Sequence, residues 1–342
     1  MPRSATTDPS LAATPIEPAP AGAPAAIELT GRSAAIARIG EFIRRAAASD
    51  GGVLITAEQG CAVESLAREL HRLGRYARGP FIIFDCAAAD AAASERTLFG
   101  GHTGAEDAEL ESVTSVSCLA AARGGVLFLQ NVADLPASAQ ARLARIARDG
   151  QMRVDCMPLD TGFRLVAGAT PGIDGDVDAH RFRADLFRRL TAVRIDLPPL
   201  RERQEDVPAL ATRLLADVCA SRGLAPRSFT QAALALLGAL TWPGNLRELH
   251  DAIDRVVREA DAPVIQIEHL LPALRLQRTH PPFAPSGNLR EARQRFEREY
   301  IVSVLQHHGW HMADAAETLG IQRPNLYRKA RQLGIPLTRA HE

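Results

Sequence analysis

The chain has 342 residues, its 40 Lys and Arg balanced by 40 Asp and Glu, and its 46% apolar and 23% charged residues are ordinary for a globular protein. No stretch approaches the roughly 18 uncharged apolar residues of a membrane span, and the first residues lack the apolar run of a secretory leader, so no membrane contact is expected and a cytoplasmic location is. Five cysteines (Cys61, Cys86, Cys118, Cys156 and Cys219) include no C-x-x-C pair, which argues for reduced thiols and against disulfides or a metal site.

Residues 1–26 are dominated by Ala, Pro, Ser and Thr without apolar periodicity and read as a disordered tail, too short for a receiver or other sensory domain. From 27 to 197 short apolar runs at 52–56, 81–84, 126–129 and 163–167 alternate with polar or helical stretches, the signature of a parallel sheet with flanking helices. Pro198 and Pro199 close this region. Residues 198–275 carry apolar positions at helical spacing over 207–220, 230–240 and 245–260, and a Pro-rich linker follows at 276–287. Residues 288–342 form a last helical module, and no internal repeat is present.

The first strand leads into Ala57-Glu58-Gln59-Gly60-Cys61-Ala62-Val63-Glu64 and then a helix. A phosphate-binding loop occupies this position as G-x-x-x-x-G-K-[ST], its glycines letting backbone N–H groups curl around the phosphates and its lysine neutralising their charge. Here Ala57 and Ala62 stand at the flanking glycines and Val63 at the lysine. Thirty-nine of the 40 basic residues are Arg; the single lysine is Lys329, so no lysine from elsewhere in this region can substitute. Taken alone, the loop reads as an ordinary strand–helix turn. The strand at 126–129 runs into Gln130-Asn131, where a Mg²⁺-holding strand would end in carboxylates; two neutral amides can hydrogen-bond but neither neutralise a metal nor act as a base.

Three further segments are specific in combination: Arg-Phe-Arg-Ala-Asp-Leu-Phe-Arg-Arg-Leu (181–190), Leu-Pro-Pro-Leu-Arg-Glu-Arg-Gln-Glu-Asp-Val-Pro (197–208) and Trp-Pro-Gly-Asn-Leu-Arg-Glu-Leu (242–249). Over roughly 27–336 the chain resembles the bacterial enhancer-binding proteins, activators of sigma-54 RNA polymerase. The resemblance implies an α/β AAA+ core over 27–197, an all-α lid over 198–275 and a C-terminal all-α, Fis-type helix-turn-helix over 288–342. In that family the AAA+ ring hydrolyses ATP and remodels the polymerase. Carried over residue by residue, the family's nucleotide positions fall on Glu58, Gly60, Val63, Glu64, Gln130, Asn131, Thr170 (its polar sensor) and Arg247 (the sensor in the lid). Its arginine fingers fall on Arg183 and Arg189. Its sigma-contacting loop follows Leu98-Phe99-Gly100, but here continues as Gly101-His102-Thr103-Gly104-Ala105, without the Gly-Ala-Phe half of the family's Gly-Ala-Phe-Thr-Gly-Ala. With lysine, carboxylates and half the loop missing, the expectation is a vestigial pocket with no catalytic residue. Such a protein is not an enzyme and requires no cofactor, although ATP or another nucleotide remains open as a ligand. The expectation for Arg183, Arg189 and Arg247 themselves is that they form salt bridges within or between subunits.

In the last module Leu289, Ala292, Phe296, Tyr300 and Val304 make one helical stripe. Ala315, Ala316, Leu319 and Ile321 then anchor a short helix and a turn at Gly320, with Pro324 in the first turn of the next helix and Gly334 past its end. This spacing is that of a helix-turn-helix and is similar to the Fis-type module. The recognition helix, 323–333, and the residue before it offer Gln322, Arg323, Asn325, Arg328, Lys329 and Arg331 to DNA, Arg reading guanine, Asn or Gln reading adenine, and Lys or Arg also taking phosphates. Charge supports this only mildly: 288–342 holds nine Lys and Arg against six Asp and Glu. His307, His308 and His311 lack a carboxylate or cysteine at ligand spacing, so no metal is expected there.

The expected protein is a sequence-specific DNA-binding regulator on a degenerate AAA+ scaffold, unable to drive sigma-54 polymerase alone. Its partners would be duplex DNA, RNA polymerase and copies of itself, as a dimer through the C-terminal module or a larger assembly through the core, or an intact relative in a mixed assembly. Two alternatives stay open: an ATP-binding sigma-54 activator, and a sensor of a nucleotide second messenger.

Overall fold

The computed structural model describes residues 26–88, 90–100 and 110–277, and, further on, residues 298, 301, 302, 305, 312, 316, 318, 319 and 323–333. The chain divides after Arg275 into two compact units. Among the described residues no helix is long and apolar enough to cross a membrane.

The first unit runs α1 (Ala34–Ala47), β1 (Val53–Thr56), α2 (Val63–Leu73), β2 (Phe81–Asp85), α3 (Ala91–Phe99), β3 (Ser112–Val113), α4 (Cys118–Ala121), β4 (Val126–Gln130), α5 (Ala137–Asp149), β5 (Gln151–Val154), β6 (Met157–Asp160), β7 (Arg164–Ala169), α6 (Ile173–Asp178), α7 (Ala184–Leu190) and β8 (Val193–Asp196). Five strands form a parallel sheet in the order β2-β4-β7-β1-β8. Successive side chains of a strand point to opposite faces, and the two faces are covered by different helices. Val53, Ile55, Val126, Phe128 and Val166 join a core with Ile39, Ile43, Leu66 and Leu70 of α1 and α2. Leu54, Leu127, Leu129 and Ala167 join one with Leu98, Leu143, Leu186 and Leu190 of α3, α5 and α7. Burial on both faces is why these strands read as continuous apolar runs.

Sequence patterning finds four of the five strands. The fifth, β8, lies at the sheet edge beside β1, and its Val-Arg-Ile-Asp buries only Ile195. A second, three-stranded sheet, β3-β5-β6, was not expected from the sequence. Its β5–β6 hairpin turns through Asp155 and Cys156, both in the left-handed region (φ 47° and 70°). Neither a glycine nor an asparagine marks that turn, and Pro158 sits inside the second strand, so both usual signals are missing.

The lid follows as α8 (Val207–Ser221), β9 (Ser228–Phe229), α9 (Gln231–Ala239), α10 (Asn245–Glu259), β10 (Val264–Ile265) and α11 (Ile267–Gln277). Leu210, Leu214, Leu237, Trp242, Leu249, Ile253 and Leu270 make its core. The two-residue strands β9 and β10 pair in parallel and tie the start of α9 to the start of α11. α11 reaches into the linker assigned to 276–287, whose remainder lies outside the described residues.

The second unit is built around α12 (Arg323–Gln332). Leu326 and Ala330 of that helix pack with Ile301, Leu305 and Ala316 into a small core. Several sequence assignments fall outside the described residues: the tail at 1–25, the loop at 101–105, Gln322, and His307, His308 and His311.

Candidate functional site

A cleft of about 900 Å³ opens between the carboxyl ends of β1, β4 and β7 and the lid helices α8 and α10. Ligands of open parallel sheets bind at that edge, where the loops leaving the strands converge. Glu58, Gly60, Val63, Glu64, Gln130, Asn131, Thr170 and Arg247, drawn from four separate segments, all line it. Arg183 and Arg189 do not. Arg183 is spent locally, its guanidinium donating to Asp185 over 2.7 Å and its backbone N–H to Gln140 Oε1. Arg189, in α7, is exposed, and its charge helps to hold the Asp149 carboxyl below its ordinary value.

The loop from Ala57 to Ala62 is fastened to the lid by its own polar groups. Gly60 adopts φ +85°, and a Cβ there would lie 2.1 Å from Gly244 O, so only glycine fits. Its carbonyl accepts from the Arg247 N–H (2.9 Å), and Asn245 Nδ2 donates to Gln59 O (3.0 Å). Arg201, between core and lid, grips Glu58 through two 2.6 Å bonds, and this guanidinium holds the Glu58 carboxyl below the usual carboxylate range. The Ala62 N–H donates to Glu28 Oε1 (2.5 Å), and the same carboxylate forms a fully buried ion pair with Arg203. Glu64, in the first turn of α2, pairs with Arg68 (2.7 Å).

Val63 is the first residue of α2 and rests half-buried on the core shared by α1, α2 and the sheet. Its Cγ1 leans on β7, where a Cβ added at Gly168 would approach it to 3.1 Å. The side chain at the lysine position is thus turned into packing. At the end of β4, Asn131 takes a left-handed φ of 54° and donates through Nδ2 to Asp85 Oδ1 (2.9 Å). Asp85 closes β2 in register with Gln130 and was not singled out from the sequence. His250, one turn after Arg247, also lines the cleft unanticipated. No local signal marks either residue; only the strand register and the helix face bring them in. The Arg247 guanidinium makes no hydrogen bond or ion pair among the described residues, and Thr170 stands exposed at the rim beyond β7.

Cys61 lines the same cleft, and burial pushes its thiol up to about 12; burial likewise raises Cys118 to about 11 and Cys86 higher still. A thiolate is the reactive form. Iodoacetamide at pH 8 is therefore expected to label the exposed Cys156 first and to leave Cys61, Cys86 and Cys118 unmodified, as peptide mass spectrometry would read. Because these folded thiols hold protons that the unfolded thiols release near pH 9, their contribution to stability is intact below pH 9 and lost as pH rises toward 12.

On α12, Arg323, Asn325, Arg328 and Arg331 are exposed, Lys329 is half-buried, and Leu326 and Ala330 face inward. Of the six residues assigned to DNA, Gln322 lies outside the described residues. Tyr327, which the sequence reading passed over, is 40% exposed, with the Arg323 guanidinium 5.8 Å from its ring centre.

Family models match in the same order as the structural parts: a sigma-54 interaction domain over 29–196, an AAA+ ATPase lid domain over 201–286 and a bacterial regulatory protein of the Fis family over 292–333. The nitrogen assimilation regulatory protein NtrX of Azorhizobium caulinodans is 31% identical over 335 residues, covering 90% of this chain and 69% of NtrX. The chain belongs to the sigma-54-dependent transcriptional regulators. The transcriptional regulatory protein ZraR of Klebsiella oxytoca is 35% identical over 325 residues, covering 93% of this chain and 71% of ZraR. Among solved structures, NtrX of Brucella abortus in complex with ATP superposes with a TM-score of 0.63 at 30% identity, covering 89% of this chain and 69% of that one. This sigma-54-family regulator therefore has an AAA+ core, a helical lid and a Fis-type DNA-binding module.

Proposed function

We propose that this regulator binds a specific duplex DNA sequence through α12 and uses its AAA+ core as an assembly platform that does not hydrolyse ATP. The observation that carries the reading is a set of three residues at the phosphate end of the cleft: Val63 packed against β7 where a lysine would reach phosphate, and the amides Gln130 and Asn131 where Mg²⁺ would need carboxylates. An arginine finger is worth about 10³–10⁵ in rate, but only on a nucleotide and metal already held. Arg183 and Arg189 cannot make up for groups that act before them. Brucella abortus NtrX has been crystallised with ADP and with ATP; for this chain the corresponding cleft serves assembly or sensing rather than turnover. DNA anchors it, sigma-54 polymerase or a mixed assembly with an intact relative is its target, and it self-associates as a dimer through the C-terminal module and in larger assemblies through the core.

The test is phosphate release from ATP by the purified protein, with and without its promoter DNA. Turnover at the background rate is expected. The triple variant Val63→Lys, Gln130→Asp, Asn131→Glu is expected to gain Mg²⁺-dependent ATP binding. Wild-type turnover above that of a Gly60→Asp control would overturn the reading and make the protein an ATP-driven activator.

A further inference from the structure

We propose that the cleft between core and lid takes a nucleoside, and that each phosphate added to the ligand weakens its binding. The proposal rests on the reading of this cleft as a nucleotide pocket without turnover, and goes beyond it by naming the ligand class.

The walls suit a planar, uncharged heterocycle. Ile27, Leu214, Pro243 and Leu246 supply apolar surface, while Gln130, Asn131 and Thr170 supply neutral hydrogen-bonding groups at the strand ends. Small-molecule sites commonly combine a mostly apolar lining with a few such polar groups, in volumes of about 300–1,000 Å³; this cleft, at about 900 Å³, leaves ample room for a nucleoside.

The charges run against a phosphate chain. Among the lining residues Glu58 and Glu64 bring two carboxylates, against one guanidinium from Arg247 and the imidazole of His250. Glu58 is held in its ionised form by Arg201, and Glu64 pairs with Arg68, but neither of those arginines lines the cleft. Both carboxylates thus stand in the lining, with their arginine partners behind it. The helix N-terminus that would favour an anion is already provided for: the Ala62 N–H just before α2 donates to the Glu28 carboxylate, which is fully buried and anchored by Arg203. A phosphate seated on that N–H would have to compete with a carboxylate that is fully buried and paired with Arg203. Val63 adds no compensating cation.

Titration calorimetry on the full chain with adenosine, AMP, ADP and ATP, and with the guanosine series, each with and without Mg²⁺, tests this. The expected order is nucleoside first and triphosphate last, with about a tenfold spread in affinity (about 1.4 kcal/mol), unchanged by Mg²⁺. Val63→Lys is expected to reverse the order by strengthening the triphosphate. Affinity that rises with phosphate number in the wild type would overturn the proposal, as would failure of both nucleosides to bind. The second result leaves the non-hydrolysing reading standing, whereas only ATP turnover removes that reading, so the two failures are separable.

Discussion

Arg203→Met is expected to destabilise the core–lid unit by about 3–5 kcal/mol, the usual consequence of leaving one member of a buried ion pair without its partner. Arg203 and Glu28 are both fully buried. Arg203 Nη1 also donates to the Glu28 carbonyl (3.0 Å), while its Nε is buried with no hydrogen-bond partner among the described residues. Removing the guanidinium leaves the Glu28 carboxylate with the Ala62 N–H as its hydrogen-bond donor among the described residues, a poor exchange for a carboxylate out of water. Thermal unfolding should register a fall of about 10 °C for a unit of this size. Glu28→Gln combined with Arg203→Met removes both charges and is expected to recover a large part of the loss, since buried pairs replaced together by groups of similar volume are often near neutral. A single variant that melts with the wild type would mean that water reaches the pair and that the strap formed by residues 26–33 is not held as described. That strap is otherwise well fastened: Asp206 accepts from the Arg32 and Ser33 backbone N–H groups at 2.7 and 2.8 Å, and from the Ser33 hydroxyl.

The strap also illustrates what a sequence conceals. Glu28 and Arg203 lie 175 positions apart, and no periodicity or motif couples them. The same is true of Arg201 gripping Glu58 and of Asp85 holding Asn131, contacts that span 143 and 46 positions. What was legible had a local cause. Strands buried on both faces read as apolar runs, and α8, α9 and α10 carry apolar stripes at helical spacing. The eight cleft residues carried over from the family pattern came from the resemblance; taken alone, the loop at 57–64 reads as an ordinary strand–helix turn. The elements missed were those with weak local preference: the half-exposed edge strand β8, the two-residue strands β3, β9 and β10, and a hairpin turning on Asp155 and Cys156. Such segments are set by the surfaces they pack on, and tertiary context overrides propensity there. Likewise, the residue type at position 63 was plain from the sequence, but its lean against Gly168, which turns a lost lysine into a packing contact, was not.

Asn325→Ala and Arg328→Ala are each expected to weaken binding to the cognate DNA by about 1–3 kcal/mol, roughly five- to 150-fold, if they read base edges. Their helix has one face committed to the small core through Leu326 and Ala330, so the exposed side chains of Arg323, Asn325, Arg328 and Arg331 are available to the groove without loss of packing. A base-reading residue and a phosphate-binding one leave different signatures. Loss of the first relaxes discrimination at one position of the site and leaves the salt dependence nearly unchanged. Loss of the second weakens all sequences alike and lowers the slope of log K against log salt by about one. Asparagine carries no charge, so Asn325→Ala should fall cleanly in the first class. Arg331, in the last turn, should fall in the second. Arg75→Ala, which removes an exposed pair with Asp50 in the AAA+ core, serves as the control for a general loss of positive charge and should leave binding unaltered. Fluorescence anisotropy across a salt series with matched and single-mismatch duplexes separates these outcomes. Wild-type affinity and discrimination in both Asn325→Ala and Arg328→Ala would mean that α12 does not enter the groove, and would move the DNA contact to another face of the C-terminal module.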